Sequence, residues 1–314
     1  MLTTFDRSNL QTMRSFMGMI VGAMCAALCC ACAASLAPEA GRPRANEPAY
    51  PILLAASDER REQALAVWAT LTTEQGITNA PAPELQLVTA TLSALPPLSS
   101  PLQLPRIGVG EGRADDTDTE EATRESLRRF IAGAAPLLGV DPRYVTLTEI
   151  VDDGKGAKRA TYLHKPFLYP VRGGFGALEI TFTPDRRVTR LSSTAIPDAE
   201  RISRALTSGR QLLRPEDAVK ALAGRAVAYT DAAGQEQTYT STGLAGEFAA
   251  REVVVYPVRR DGAPPTLAFH LAWEIAVAGG GAATPLLIYV DAVTGETLIA
   301  VAQSPSQSGD VSER

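Results

Sequence analysis

Histidine is the side chain that most often acts as a base or metal ligand near neutral pH, and this chain has two, His164 and His270. Neither lies in a His-Glu-x-x-His segment, the spacing that points two imidazoles toward zinc from one helical face. His164 ends a predicted strand, and His270 alternates with Ala268 and Ala272 on one face of another. We therefore expect both to be hydrogen-bonded structural residues or surface residues, with no metal site.

Nucleophiles are equally scarce. The four cysteines all lie in one N-terminal apolar run, namely Cys25, Cys29, Cys30 and Cys32, so the rest of the chain has no disulfide and no thiolate chemistry. No Gly-x-Ser-x-Gly elbow is present, and the Gly-rich residues 108–112 lead into an acidic segment that would repel a phosphate. Paired carboxylates of the glycosidase type stay open as an alternative, although no pair stands out. We expect no catalytic residue and no cofactor.

The acidic residues 115–121 suggest a calcium loop at first sight. An EF-hand loop needs Gly at its sixth position and Glu at its twelfth, whereas counting from Asp116 gives Glu121 and Leu127. Thr117 and Glu120 instead form a capping box, with acids at the positive end of a helix dipole. We interpret this cluster as the start of a helix.

Residues 1–34 have the plan of an export leader. Arg7 and Arg14 precede an uncharged run of small and apolar residues, which favours a cleaved or lipidated leader over a permanent membrane helix. Cys32 is the lipidation candidate, in an imperfect version of the bacterial lipoprotein site, and ordinary cleavage between residues 33 and 37 is the alternative. Either way, the sequence predicts an extracytoplasmic protein that is periplasmic, anchored to the outer membrane or secreted.

The charge pattern argues against nucleic acid. The formal net charge is -5, and the basic residues occur as scattered pairs such as Arg128-Arg129, with no sustained basic stretch that carries aromatics. The expected partner is another protein, and membrane contact is expected only through an N-terminal lipid anchor.

The elements that follow the leader indicate an α+β fold. Residues 35–56 read as a flexible tether, and residues 57–118 hold a helix capped by Ser57 that buries Trp68, a strand-like run at 85–92 and a Pro-rich linker. Residues 119–200 predict an amphipathic helix ending at Gly139, then strands at 144–151, 160–163, 176–183 and 187–195. Residues 201–303 predict a second helix at 215–224, then strands at 252–258, 266–277, 286–291 and 296–301, before a disordered tail at 304–314.

Four segments carry a family resemblance, at residues 130–152, 169–180, 187–198 and 271–296. The segment Pro170-Val171-Arg172-Gly173-Gly174, and the ending in which Trp273 precedes the Asp291 to Gly295 loop with Thr294, are similar to motifs in the propeptides of thermolysin-type metalloproteases. The resemblance implies a fungalysin/thermolysin propeptide (FTP) unit at 119–200 and a PepSY domain at 201–303, in tandem. Residues 163–166 and an insertion at 229–250 depart from the family pattern.

In that family the region assists folding of the attached protease and covers its active site, and no protease domain follows it in this sequence. The resemblance therefore implies a non-catalytic extracytoplasmic PepSY-domain protein that binds or inhibits a peptidase in the cell envelope, with a metallopeptidase as the candidate partner. The alternative is a structural or adhesive envelope module with no link to proteolysis.

Overall fold

The computed structural model describes residues 49–107, 120–153, 156–231, 233–277 and 285–303, which belong to one compact unit. Helices and antiparallel sheets are mixed along the chain, which confirms the predicted α+β class. The export leader with Cys32, the Gly-rich segment, the acidic cluster as far as residue 119 and the tail at 304–314 lie outside the described residues.

The first main sheet comprises β4 (Leu102–Gln103), β5 (Val145–Asp152), β6 (Lys158–His164), β7 (Ala177–Phe182) and β8 (Arg187–Ser193). Its five strands lie in the order β4-β8-β7-β6-β5. The last four form an antiparallel meander in chain order, as the alternation of residue types predicts.

Three helices cover one face of this sheet: α1 (Asp58–Glu74), α2 (Glu120–Gly133) and α3 (Ala135–Leu138). The Ser57 side chain accepts a hydrogen bond from the backbone of Arg60 and caps α1, as predicted. Trp68 is buried in the core between the helices and the sheet, and its indole N–H donates to the Pro81 carbonyl at 3.0 Å. Burial of this apolar surface is the main stabilising term of this half of the fold.

Gly139 ends α3 in the left-handed region, with φ of 66°. A Cβ atom at this position would overlap the Thr91 methyl group, so the chain needs glycine here both for its backbone angles and for the close approach.

The second main sheet comprises β1 (Ile52–Ala55), β9 (Ala226–Thr230), β10 (Glu236–Thr240), β11 (Phe248–Arg260), β12 (Thr266–Val277), β13 (Leu286–Asp291) and β14 (Thr297–Ala302). This seven-stranded sheet runs β1-β12-β13-β14-β9-β10, with β11 on the other side of β12. The long strand β12 is therefore its centre, pairing with β1, β11 and β13.

One face of the second sheet packs against α4 (Ala199–Thr207) and α5 (Pro215–Lys220). Phe269 and Leu271 of β12 lie in one buried cluster with Ile202 of α4. On the opposite face, Tyr256 and Tyr289 contact each other with ring centroids 4.5 Å apart. The two faces follow directly from the period-2 alternation of each strand.

Four sequence predictions need correction. Residues 86–91 do not continue a strand, because they turn between β2 (Glu84–Leu85) and β3 (Leu92–Ala94) with Ala90 at a φ of 55°. The Thr91 hydroxyl bonds the Ser193 carbonyl at 3.1 Å, and such local polar bonding competes with a sheet ladder. Helix α4 was not predicted, α5 ends at Lys220 and not at residue 224, and the last residues of the predicted flexible tether at 35–56 form strand β1. The predicted insertion at 229–250 overlaps the β9-β10 hairpin.

None of the helices in the described ranges is long and apolar enough to cross a membrane.

Candidate functional site

The Pro-Val-x-Gly-Gly segment joins the two main sheets. Pro170, Val171 and Arg172 lie in the loop between β6 and β7 and run alongside the edge of β11. The Arg172 N–H donates to the Val255 carbonyl at 3.0 Å, and the Val255 N–H donates to the Pro170 carbonyl at 2.8 Å. The result is a short parallel bridge between Val171 and Val255. This bridge covers part of an edge that would otherwise expose its backbone groups.

The two glycines of the segment have positive φ, 75° at Gly173 and 78° at Gly174. A Cβ atom on Gly173 would lie 3.3 Å from Cζ of Tyr256, whereas one on Gly174 would meet nothing within 4 Å. The backbone therefore requires glycine at Gly173 for space as well as for its angles.

The Arg172 side chain holds a cluster of charges at this junction. Its Nε donates to Glu274 Oε2 at 3.0 Å, and its Nη2 donates to Glu252 Oε1 at 2.6 Å. Glu274 is 5% exposed, and it also accepts from the Tyr289 hydroxyl at 3.2 Å and lies 3.5 Å from Arg251 Nη1. Burial, followed by the negative charge of Glu274, raises the pKa of Tyr289, which stays protonated as a donor. The cluster fixes the loop against the second sheet.

Two further motif residues, Trp273 and Gly295, meet around Leu213, in the segment that precedes α5. The Trp273 indole N–H donates to the Leu213 carbonyl at 3.0 Å, and the Leu213 N–H donates to the Ala292 carbonyl at 2.7 Å. Gly295 has a φ of 76°, and a Cβ there would lie 3.3 Å from Leu213 Cδ1. The structure thus brings Trp273 and Gly295 together through a residue that the sequence pattern did not single out.

Asp291 is the hub of the hairpin loop. Its Oδ1 accepts from the N–H groups of Val293 at 2.8 Å and Thr294 at 2.9 Å, and its carbonyl accepts from Gly295 at 2.9 Å. Its Oδ2 lies 2.6 Å from His270 Nδ1 and accepts from the Tyr50 hydroxyl at 2.9 Å. The expected left-handed glycine and loop are thus observed, with a buried carboxylate at their centre.

The electrostatics of this hub favour a charged Asp291. Burial raises the pKa of the carboxyl group, but the hydrogen bonds from His270, from the two loop amides and from Tyr50 outweigh it, so its pKa lies below its usual value. Burial, followed by the charge of Asp291, raises the pKa of Tyr50. Tyr50 had been assigned to the flexible tether, yet its hydroxyl also accepts from the Leu271 N–H at 3.0 Å.

His270 and Asp291 have the geometry of the base and orienting acid in a catalytic triad. A triad also needs a nucleophile, and within the described ranges no serine, threonine or cysteine is hydrogen-bonded to His270. The imidazole is 6% exposed and packs edge-on against the Tyr50 ring at 5.7 Å. The hydrogen-bonded structural role expected for His270 is confirmed, and His270 shares its face with Ala268 and Ala272 as predicted.

His164 differs from the expectation. It is 5% exposed, and neither ring nitrogen has a hydrogen-bond partner in the part of the chain that the structure describes. Burial lowers the pKa of its imidazole to about 4, against the opposing effect of the negative charge of Asp141. The prediction of a hydrogen-bonded or surface residue was therefore wrong for His164, which is buried, neutral and unsatisfied.

The second sheet also presents an open β face, on the side away from α4 and α5. We use this term for the exposed outward side chains of β14, β9 and β10, which are Ile299, Val301, Ala226, Ala228, Thr230, Glu236, Thr238 and Thr240. Ile299 is 41% exposed and Val301 39%. Glu236 is the one charged side chain among these residues, and β10 ends the sheet in the strand order.

Among the described residues, no group of three or more His, Cys, Asp or Glu side chains could hold a metal ion.

Comparisons with known proteins identify no family. No protein-family model and no curated protein matches the chain. Among solved structures, it is similar to the Bacillus megaterium YpeB C-terminal domain, at 8% sequence identity and a TM-score of 0.28, over 80% of this chain and 99% of that one. A similarity of this size says nothing about function, so the functional argument rests on the residues of the chain itself.

Proposed function

We propose that this chain is a non-catalytic extracytoplasmic protein of the PepSY type, which binds a peptidase of the cell envelope and blocks it sterically. The observation that carries the proposal is the open β face. Ile299 and Val301 are exposed side by side on a face whose other side chains are mostly small and uncharged, and a contiguous exposed apolar patch marks a candidate interaction site.

The dimensions of the face suit the centre of an interface. Three strands of about five residues, spaced about 4.8 Å apart with a rise of about 3.3 Å per residue, present a flat area of roughly 10 by 17 Å. A standard interface buries about 800 Å² on each partner and has an apolar centre inside a polar rim. Ile299 and Val301 would supply the centre, and the polar ends of the strands would supply the rim.

The edge of β10 extends this surface. Its sequence, Glu-Gln-Thr-Tyr-Thr, contains no proline and no lysine, the residues that commonly protect an edge strand from pairing. A partner that covers the open β face could therefore also hydrogen-bond to the backbone of β10.

The absence of catalysis is part of the proposal. The pair that most resembles catalytic machinery, His270 and Asp291, is tied to Tyr50 and to the loop amides of the hairpin. These bonds give both side chains a structural task in the second sheet. The link to peptidases comes from the resemblance carried by residues 170–174 and 291–295.

The proposal is tested by affinity capture from an envelope extract of the native host, with an assay of peptidase activity in the presence and absence of bait. The baits are the unaltered protein, the double variant Ile299→Glu/Val301→Glu and the control Leu87→Glu, which changes a side chain that is 65% exposed on the first half of the fold. We expect the unaltered protein and the control to retain and silence a peptidase. The double variant should fail, because binding would bury two unpaired carboxylates.

Recovery of no peptidase, from an extract in which peptidase activity is demonstrated, would overturn the proposal and favour the structural or adhesive alternative. Equal retention by the double variant would overturn the assignment of the binding surface.

A further inference from the structure

A cleft of about 640 Å³ opens where the first half of the fold meets α4, between the start of α1, the turn after α3 and the start of α4. Its volume falls in the range of small-ligand sites, about 300 to 1,000 Å³. It lies on a different part of the molecule from the open β face and shares no residue with it.

His164 lines this cleft. Strand alternation places its side chain on the same face of β6 as Ala160 and Tyr162, which pack in the core under the helices, and Ala135 and Pro136 of α3 line the cleft on that side. The same residue also borders a smaller cavity of about 350 Å³ under the loop that follows β6. Neither ring nitrogen has a hydrogen-bond partner among the described residues, and both are enclosed, so a ligand reaches the imidazole only when the side chain turns toward the cleft.

Most of the acids in the cleft already have partners. Asp141 pairs with Arg143, and Glu200 accepts from the Tyr144 hydroxyl at 2.5 Å. Asp198, at the start of α4, lies 3.7 Å from Arg60 and 3.9 Å from Arg201, and these two cations offset its negative charge.

Two charged side chains and a helix end are left without protein partners. Arg204 on α4 and Glu59 on α1 have no ion pair or side-chain hydrogen bond among the described residues. The N-terminus of α4 also lines the cleft, and the side chain of its N-cap residue, Asp198, makes no capping hydrogen bond. Free N–H groups at a helix start attract a negative ligand group.

We propose that this cleft binds the carboxyl-terminal end of a peptide. The terminal carboxylate lies at the N-terminus of α4 beside Arg204, and the imidazole of His164 turns toward the cleft and bonds the adjacent peptide group. A neutral imidazole has one donor and one acceptor, so the nitrogen that faces the cleft can either donate to the C=O or accept from the N–H of this peptide group. Glu59, on another wall, favours a ligand with a positive charge at its far end.

The test uses the two histidines as separate reporters. Untagged protein labelled with ¹³C and ¹⁵N in histidine is titrated by NMR with tri-alanine, and in parallel with tri-alanine carboxamide. We expect saturable shifts of the His164 ring signals with tri-alanine, little change at His270, and affinity lower by about tenfold for the carboxamide, which lacks the charge-assisted bonds.

Variants separate the site from nonspecific binding. Arg204→Gln removes an exposed cation without disturbing the core, and it should weaken tri-alanine binding by about tenfold. Arg259→Gln, an exposed arginine on β11, should leave the affinity unchanged. The proposal is overturned if tri-alanine in the millimolar range leaves the His164 signals in place, if the carboxamide binds equally well, or if the two arginine variants behave alike. None of these outcomes depends on peptidase binding.

Discussion

On acidification, this protein should unfold at a higher pH than an otherwise identical chain without His164. In the folded state burial holds the pKa of this imidazole at about 4, compared with an ordinary value of 6.5. Between these two pH values the unfolded chain binds a proton that the folded chain does not. Stability therefore rises with pH across this window and falls as the pH drops through it.

The magnitude follows from the two pKa values. One pKa unit corresponds to about 1.4 kcal/mol. Protonation of His164 in the unfolded chain should therefore lower the free energy of unfolding by about 2 kcal/mol at pH 5 and about 3 kcal/mol at pH 4, relative to pH 7.5. Typical domains have only about 5 to 15 kcal/mol in total, so the effect is large enough to measure. The lowered pKa of Asp291 acts only at more acidic pH, because stability held by a depressed carboxyl pKa is lost as pH falls through that value.

Urea denaturation followed by tryptophan fluorescence, at half-unit steps from pH 4 to pH 7.5, measures the effect. The comparison is with His164→Leu, which cannot titrate and removes two unsatisfied buried nitrogens. The difference in unfolding free energy between variant and unaltered protein should grow by about 3 kcal/mol from pH 7.5 to pH 4. Parallel pH profiles for the two proteins would refute the reasoning, as would a His164 titration midpoint near 6.5 in the folded state.

Two further substitutions test the geometry. Gly139→Ala should destabilise the protein by about 2 to 4 kcal/mol in urea denaturation, because the left-handed backbone and the close approach of Thr91 both exclude a side chain. The control Gly133→Ala lies at the end of α2 with open space around it, and it should be neutral or stabilising by up to about 1 kcal/mol. Arg172→Ala should lower the free energy of unfolding by about 2 to 4 kcal/mol, because it leaves the buried Glu274 carboxylate with less compensating positive charge. The control Arg259→Ala should lower it by less than about 0.5 kcal/mol. Equal effects of the two substitutions would contradict the proposed role of the junction cluster.

The sequence predicted most reliably those elements whose local signals agreed. Ser57 as a cap, Trp68 at helical spacing and Gly139 at a left-handed C-terminus all point to the same local structure, and all three occur as expected. The strands of the first meander and of β12 to β14 were equally clear, since their alternation is regular and their turns contain Gly, Asp or Pro.

Other elements were missed for identifiable reasons. Helix α4 lies in a segment rich in Arg and Ser, although Ala199, Ile202 and Leu206 are buried at i, i+3 and i+7 and could have revealed it. The strands of the β9-β10 hairpin were not predicted, because β10, Glu-Gln-Thr-Tyr-Thr, has only one apolar side chain and gives no clear alternation.

The polar contacts were out of reach for a more basic reason. Tyr50 and Asp291 are 241 positions apart, and no local pattern reports a hydrogen bond over such a separation. Local sequence likewise cannot show that His164 lacks a partner, because that depends on helices from distant parts of the chain. Fold class follows from local periodicity, whereas a site depends on which distant side chains meet.

The central claim is that the open β face binds a peptidase, and its most direct test is inhibition of the captured, purified peptidase by increasing amounts of this protein. We expect saturable inhibition by the unaltered protein and by Leu87→Glu, and inhibition at least about tenfold weaker by Ile299→Glu/Val301→Glu. Inhibition of equal strength by the double variant, with its folding verified by an unchanged urea midpoint, would contradict the account.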